Sequence, residues 1–339
     1  MKILTCVAAL AVLAGCVNAA YEYEGDVVSS VDAQEGLMSV NVMYDDVISK
    51  AQTDYVTALD EETKANSVTV LVFDKQTGAL NASVQAGAVN KKCNISLPVG
   101  TKVVYAVVNG PSLSGVRKVS DMNSIMDDIS LSDMDAAGLT MLGSSECEVT
   151  AGSLATEVTV TVKWLVSRVV LRKVVCNIPA QYGNMTVDCV YLGNANTRQA
   201  FSSVVPEGAV ANVKGYAADG SPIGLSGVKG ECETYLYRSV GKSVAVGSSH
   251  VANYHMYCQP CAQDECTCMY LLTTIGGNKY YYRVALDQGL QANTTCSVEV
   301  RITNLGSPLP PDGDLQKGQI HALVTVDGWT PGNSYVAEF

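Results

Sequence analysis

The chain has 339 residues, 47% of them hydrophobic and 16% charged, with a formal net charge of −11. That length admits about two domains and the apolar content admits real cores, while the acidic balance argues against nucleic acid as a partner. Val, Thr, Ser, Gly and Tyr dominate over the helix formers, so the expected fold class is all-β with few short helices.

In chain order, the first segment reads as an export signal. One charge, Lys2, precedes an apolar run from Ile3 to Gly15, and Leu13-Ala14-Gly15-Cys16 closes it. Small residues ending in Cys are what lipoprotein signal peptidase requires: the Cys16 thiol is acylated, the bond before it is cut, and the protein hangs from a membrane by lipid. Residues 1–15 then drop out of the fold. An ordinary secretory signal cut after Ala19 or Ala20 is the competing reading, and the run is too short for a spanning helix. The lipoprotein reading is preferred and places the chain in the bacterial envelope.

Residues 17–36 read as a polar tether. A half-buried strand is expected at 37–44, with Met38, Val40, Val42 and Tyr44 on one face. A polar loop follows over 45–66. Strands are expected at Val68–Phe73, Asn94–Leu97 and Lys102–Val108, with turns at Asp74–Gly78 and at Pro98-Val99-Gly100. Met122, Ile125, Met126 and Ile129 fall at helical spacing and predict a helix within 120–135. Val158–Val175 predicts one long strand or a pair, with a domain boundary just before it. Beyond it, strand runs at Met185–Tyr191, Thr234–Tyr237, Met269–Thr274, Tyr280–Leu286, Ser297–Thr303 and Gln319–Val326 alternate with turns, as in a β-sandwich.

Catalytic patterns are missing. The three histidines, His250, His255 and His321, make no H-E-x-x-H, and no G-x-S-x-G occurs. Gly241-Lys242-Ser243 lacks the upstream glycine of a phosphate loop, since Leu236 stands there. Of twelve cysteines, Cys258, Cys261, Cys266 and Cys268 cluster. With His250 and His255 upstream they are a weak zinc candidate. Disulfides or free thiols are the preferred reading, since the spacing lacks paired C-x2-C units and an exported protein permits disulfides. No cofactor and no enzymatic activity are expected.

Several motifs, in order, resemble the fimbrillin family, the subunits of type V pili. They are Val70-Leu71-Val72-Phe73-Asp74 with Gly78, Leu97-Pro98-Val99-Gly100 leading to Val107-Val108-Asn109-Gly110, and Gly138-Leu139-Thr140-Met141-Leu142-Gly143. Trp164 to Val174, Val190 to Ala195, Tyr235 to Arg238, Tyr280 to Val284, Asn293 to Pro308 and Val324 to Trp329 continue the series. The resemblance implies two tandem β-sandwich-like (transthyretin-like) domains, here 51–156 and 157–339, after a propeptide at 16–50.

The resemblance also implies a life cycle. The subunit travels as an outer-membrane lipoprotein carrying palmitate-type acyl chains, and a trypsin-like protease cuts beyond the first strand. The groove left by Met38, Val40, Val42 and Tyr44 accepts the C-terminal strand of a neighbour, whose Ile320, Ala322, Val324 and Val326 have the same two-residue period. The expected partners are therefore other subunits of a surface fimbrium that supports adhesion. The family presents Arg at the cut, whereas this chain has no Arg between Cys16 and Arg117. Lys50-Ala51 occupies the matching place, and Lys64-Ala65 is the second choice. The alternatives are an uncleaved, lipid-anchored base or accessory subunit, and a ligand-binding surface lipoprotein outside any pilus.

Overall fold

The computed structural model describes residues 34–44, 59, 62–129, 138–152, 154–204, 210–211, 215–216, 222–223, 236–262, 267–309 and 320–328; side chains at 210–211, 215–216, 222–223 and 320–328 are left out of that description. Cys16, Lys50, Ala51 and Cys266 lie outside the described residues, as does the signal segment. The fold is all-β. The strands of the first half are β1 (Glu35–Tyr44), β2 (Val68–Asp74), β3 (Leu80–Ala86), β4 (Lys92–Pro98), β5 (Gly100–Val108), β6 (Met126–Asp128), β7 (Met141–Val149) and β8 (Thr156–Trp164). Next come β9 (Ser167–Cys176), β10 (Met185–Gly193), β11 (Ala195–Asn196), β12 (Arg198–Ala200), β13 (Val210–Ala211), β14 (Gly215–Tyr216) and β15 (Pro222–Ile223). The last are β16 (Tyr237–Val244), β17 (Ser248–Cys258), β18 (Cys268–Ile275), β19 (Asn278–Ala285), β20 (Thr294–Ile302) and β21 (Ile320–Gly328).

One seven-stranded ladder runs β3-β2-β5-β7-β8-β1-β4. Only Met141↔Trp164 and Leu142↔Lys163 join β7 to β8, so the ladder folds there and its two arms face each other. Met38, Val40 and Val42 from one arm share a buried cluster with Val70, Val72 and Val104 from the other. Gly143 permits the close approach at this corner: a Cβ on it would stand 2.2 Å from the Thr161 carbonyl oxygen. β2 is buried on both faces, which explains its unbroken apolar run. Val70 and Val72 face the cluster just named, while Leu71 and Phe73 meet Val107, Val116 and Met122 on the other side. The turn after β2 is as expected: the Asp74 carboxylate accepts from Thr77 N–H at 2.9 Å, and Gly78 has φ +71°. That bond, followed by one from Lys102, holds the Asp74 carboxyl at about 2.

The second half has two four-stranded sheets, β16-β10-β18-β19 and β17-β9-β20-β21. They share one core that includes Val169, Leu171, Val190, Leu192, Met269 and Val298. Val158–Val175 is a pair of strands, broken at Leu165-Val166. β10 carries a bulge between Val187 and Cys189. The extra residue shifts the alternation, so Val187 and Val190 face one core while Cys189 and Tyr191 join a separate cluster with Tyr270 and Tyr281.

The helix expected within 120–135 is corrected. A short 3-10 helix at Val119–Ser124 is followed by β6, which pairs with β12; 130–137 lie outside the described residues. Met122 and Ile125 were read correctly as apolar, but they cap the outer face of the first ladder. Apolar spacing of three or four suits a 3-10 turn on a sheet as well as a helix. β3, β7 and β17 were not expected. Their solvent faces carry too many polar residues to stand out: the first two alternate buried or half-buried with exposed positions.

Candidate assembly interface

β1 lies inside the ladder. It pairs antiparallel with β4 (Met38↔Ile95, Val40↔Cys93) and parallel with β8 (Val40↔Val158, Val42↔Val160, Tyr44↔Val162). Met38, Val40 and Val42 are fully buried, as the alternation required, and Tyr44 is half-buried. The Cys147 thiol lies 3.5 Å from the Met38 sulfur. Removing β1 would therefore open a slot between β8 and β4 and strip each of a full hydrogen-bonded edge. Burial of the three aliphatic side chains is worth about 5–9 kcal/mol.

β21 has the opposite placement. It pairs antiparallel with β20 from Ile302↔Ile320 to Thr294↔Gly328 and ends its sheet. Its nine residues nearly match the ten of β1. An edge strand can leave without breaking any other ladder, and among the described residues no strand pairs with its outer row of N–H and C=O groups. The opposite edge, β17, is blunted by a bulge between Val251 and Tyr254, with Asn253 at φ 50°.

Beyond β1 in sequence, Leu59 and residues 62–67 are fixed by a buried network that the sequence did not reveal. The Glu62 carboxylate is 2% exposed and takes both of its close Arg168 Nη1 contacts, at 2.7 and 3.0 Å. Tyr257 Oη donates to it at 2.5 Å, and Leu59 N–H at 2.6 Å. Arg168 is fully buried on β9, and its Nε donates to Thr295 Oγ1. Burial, then the Glu62 charge, pushes the Tyr257 hydroxyl well above its ordinary value, which keeps it a donor. Trp164 Nε1 donates to the Glu62 carbonyl at 3.0 Å. Part of the signal was present: Arg168 is a cation at the start of a valine-rich run, and a buried cation needs a partner. The sequence could not say which acid supplies it.

Asn109 completes the lock. Its Nδ2 donates to the carbonyls of Lys64 (2.6 Å) and Leu139 (3.2 Å), and its Oδ1 accepts from Asn66 N–H (2.7 Å). It sits at φ 54°, a conformation that asparagine tolerates. Gly138 leaves room for it, since a Cβ there would stand 2.5 Å from Asn109 Nδ2. Two motifs noted in the sequence, Asn109-Gly110 and Gly138–Gly143, thus meet at the segment after β1.

The cysteine cluster is spread along the chain's path. Cys258 is buried at the end of β17, Cys261 bridges to Leu290, and Cys268 opens β18. Cys258 and Cys261 carry free thiols. Burial pushes Cys258 far up, and drives Cys189 on β10 to about 12, so both stay protonated and unreactive. Among the described residues no three His, Cys, Asp or Glu side chains gather closely enough to hold a metal. His321 lies on β21, where side chains are not described.

His255 on β17 has a different significance. Its Nε2 is buried without a hydrogen-bond partner, and burial, then the charges of Arg168 and Arg238, lower its pKa to about 4. A depressed folded value means that stability is complete above the unfolded value near 6.5 and falls as pH drops towards 4. With allowance for its partial exposure, about 2 kcal/mol is expected to go over that window. Urea midpoints at pH 7.5 and 4.5 measure it; a His255→Leu variant whose midpoint still drops as steeply would refute the assignment.

Residues 38–160 match the family model of the major fimbrial subunit protein FimA. Over this span the chain is similar to the fimbrillin family. No curated protein matches it. Its fold is shared, at low identity, by a fimbrilin from Porphyromonas gingivalis W83 (14% identical, TM-score 0.59, covering 88% of this chain and 98% of that one). A candidate cell adhesion protein from Bacteroides eggerthii is similar (18%, TM-score 0.61, 90% and 99%). So is a C-terminally truncated tip fimbrial protein from Porphyromonas gingivalis (14%, TM-score 0.50, 87% and 100%). The family match begins at Met38 and ends at residue 160, so it includes most of β1 and reaches into β8, the slot wall that β1 runs parallel to.

Proposed function

We propose that this chain is a member of the fimbrillin family and a structural, non-enzymatic subunit of a bacterial surface pilus, polymerised by exchange of β21. The carrying observation is the contrast between β1, held between two strands, and β21, a strand of nearly equal length at an open edge. In this reading the subunit is exported as an outer-membrane lipoprotein on Cys16. It is cut at Lys50-Ala51, and loses β1 together with the anchor. Ile320, Ala322, Val324 and Val326 of a neighbour then fill the places of Met38, Val40, Val42 and Tyr44. Strand addition supplies both the ladder bonds and the side-chain pockets, and an unfilled slot would aggregate. The two apolar clusters support two sandwich domains, but they divide near Val166: Val158, Val160 and Val162 of β8 pack in the first, which moves the boundary expected just before Val158 to the end of β8.

N-terminal sequencing and intact mass of the protein from sheared surface fibres test this. The expected product begins at Ala51 and carries no lipid. A lipidated Cys16 start in the fibre would instead mark an uncleaved base subunit, and absence from every fibre fraction would sink the pilus reading in favour of a ligand-binding surface lipoprotein.

A further inference from the structure

A basic residue is not enough to make a cut site, and the geometry separates the two lysines that precede β2. Lys64 has an exposed side chain, yet backbone groups on both sides of the Lys64-Ala65 bond are engaged. The carbonyl of the Lys64-Ala65 bond accepts from Asn109 Nδ2 at 2.6 Å. The Thr63 carbonyl accepts from Tyr44 Oη at 2.6 Å, and the Glu62 carbonyl from Trp164 Nε1. Glu62 N–H and Thr63 N–H both donate to the Leu59 carbonyl. After the bond, Asn66 N–H donates to Asn109 Oδ1, and the Ser67 carbonyl accepts from Asn109 N–H. Two residues before Lys64, the Glu62 side chain is held by Arg168 in the interior.

A protease of the trypsin type binds its substrate as an extended strand and draws on those same backbone groups over several residues. We infer that the Glu62–Arg168 pair and the Asn109 amide close the Lys64-Ala65 bond to proteolysis in the folded subunit, so that maturation leaves Glu62 in the body of the protein. The inference rests on the proposed maturation by proteolysis and narrows it. In the sequence, Lys50 is the one other basic residue between Cys16 and Lys64. Of the bonds that hold the lock, only the one from Tyr44 departs with β1. Glu62, Trp164, Arg168, Tyr257 and Asn109 all stay, so the bond remains closed after β1 has gone. The lock would then act as a positioning device, because it pins the new N-terminal segment at Leu59 beside the open slot.

Limited digestion of the full-length secreted chain with a lysine-specific endoprotease, read by intact mass and N-terminal sequencing, tests the closure. Cleavage at Lys64 in the native protein is expected to be at least tenfold slower than in the urea-unfolded chain. Proteolysis of such a site follows the population of the locally opened form. Asn109→Gly keeps the backbone conformation and removes the amide, and is expected to speed Lys64 cleavage at least tenfold. Gly138→Ala, which displaces Asn109 from the other side, is expected to act in the same direction should Asn109→Gly fold poorly. Native wild-type chain cut at Lys64 as fast as unfolded chain would overturn the inference, as would both variants leaving the rate unchanged. The reading of polymerisation fails separately: fibres whose subunits begin at Ala65 would refute the lock and leave strand exchange standing, whereas a Cys16 start would do the reverse.

Discussion

Glu62→Ala is expected to lower the free energy of unfolding by about 3–5 kcal/mol, because it removes the carboxylate that the buried Arg168 guanidinium contacts at 2.7 and 3.0 Å. Arg168 is fully buried, and Thr295 Oγ1 is a neutral acceptor for its Nε. The substitution also removes the bonds that Tyr257 Oη and Leu59 N–H donate to that carboxylate. The pair itself is a different matter from its rupture. Two desolvated charges in contact return little net stability over an apolar replacement of similar volume. The double variant Glu62→Leu/Arg168→Met is therefore expected to recover most of what Glu62→Ala loses. Urea unfolding followed by intrinsic fluorescence measures both, since Trp164 touches Glu62 directly. A loss under about 1 kcal/mol for Glu62→Ala would mean that water reaches Arg168, and the account of the lock given above would fall with it.

Val324→Asp is expected to stop fibre growth. Val324 stands at the middle of β21, opposite Val298 in the subunit's own sheet. In the proposed fibre it enters the slot that β1 vacates, among positions where Val40 and Val42 are fully buried. An unpaired carboxylate there costs at least about 4 kcal/mol, or roughly a thousandfold in the association constant between subunits. Thr325→Asp, one residue along, places its charge on the alternate face and is expected to leave assembly within about tenfold of wild type. The sheared-fibre yield of the two variants, compared at equal levels of secreted subunit, is the measurement. Equal yields from Val324→Asp and wild type would contradict exchange through this strand, and equal failure of both variants would point to a general effect on β21 rather than a pocket.

The two expectations depend on the sequence to different degrees. The apolar face of β1 was readable because side-chain direction in a strand alternates locally: Met38, Val40 and Val42 had to share a face whatever they touched. β21 shows the same period in the sequence, and the structure places it as a strand. The turn at Asp74–Gly78 was readable too, because an aspartate that accepts from the residue three places on, followed by a glycine at positive φ, is settled within five residues. Val158–Val175 was legible as strand, with its break left open until Leu165-Val166 was seen to divide it.

The sequence by itself therefore determined the strand class, the alternating faces of β1 and β21, and the absence of any recognised catalytic motif. The tertiary structure decided which strand is enclosed and which is at an edge, and the reason is that pairing partners lie far apart in the chain. β1 runs parallel to β8, and β6 pairs with β12 instead of continuing a helix. Glu62 meets Arg168 at a separation of 106 residues. No local preference encodes such a meeting. It follows from sheet register and from the rule that a buried charge must find its opposite. The lock on Lys64 is decided at that level: the residue type at the bond is in the sequence, while the hydrogen bonds that close it come from Asn109 and Trp164 on distant strands and loops.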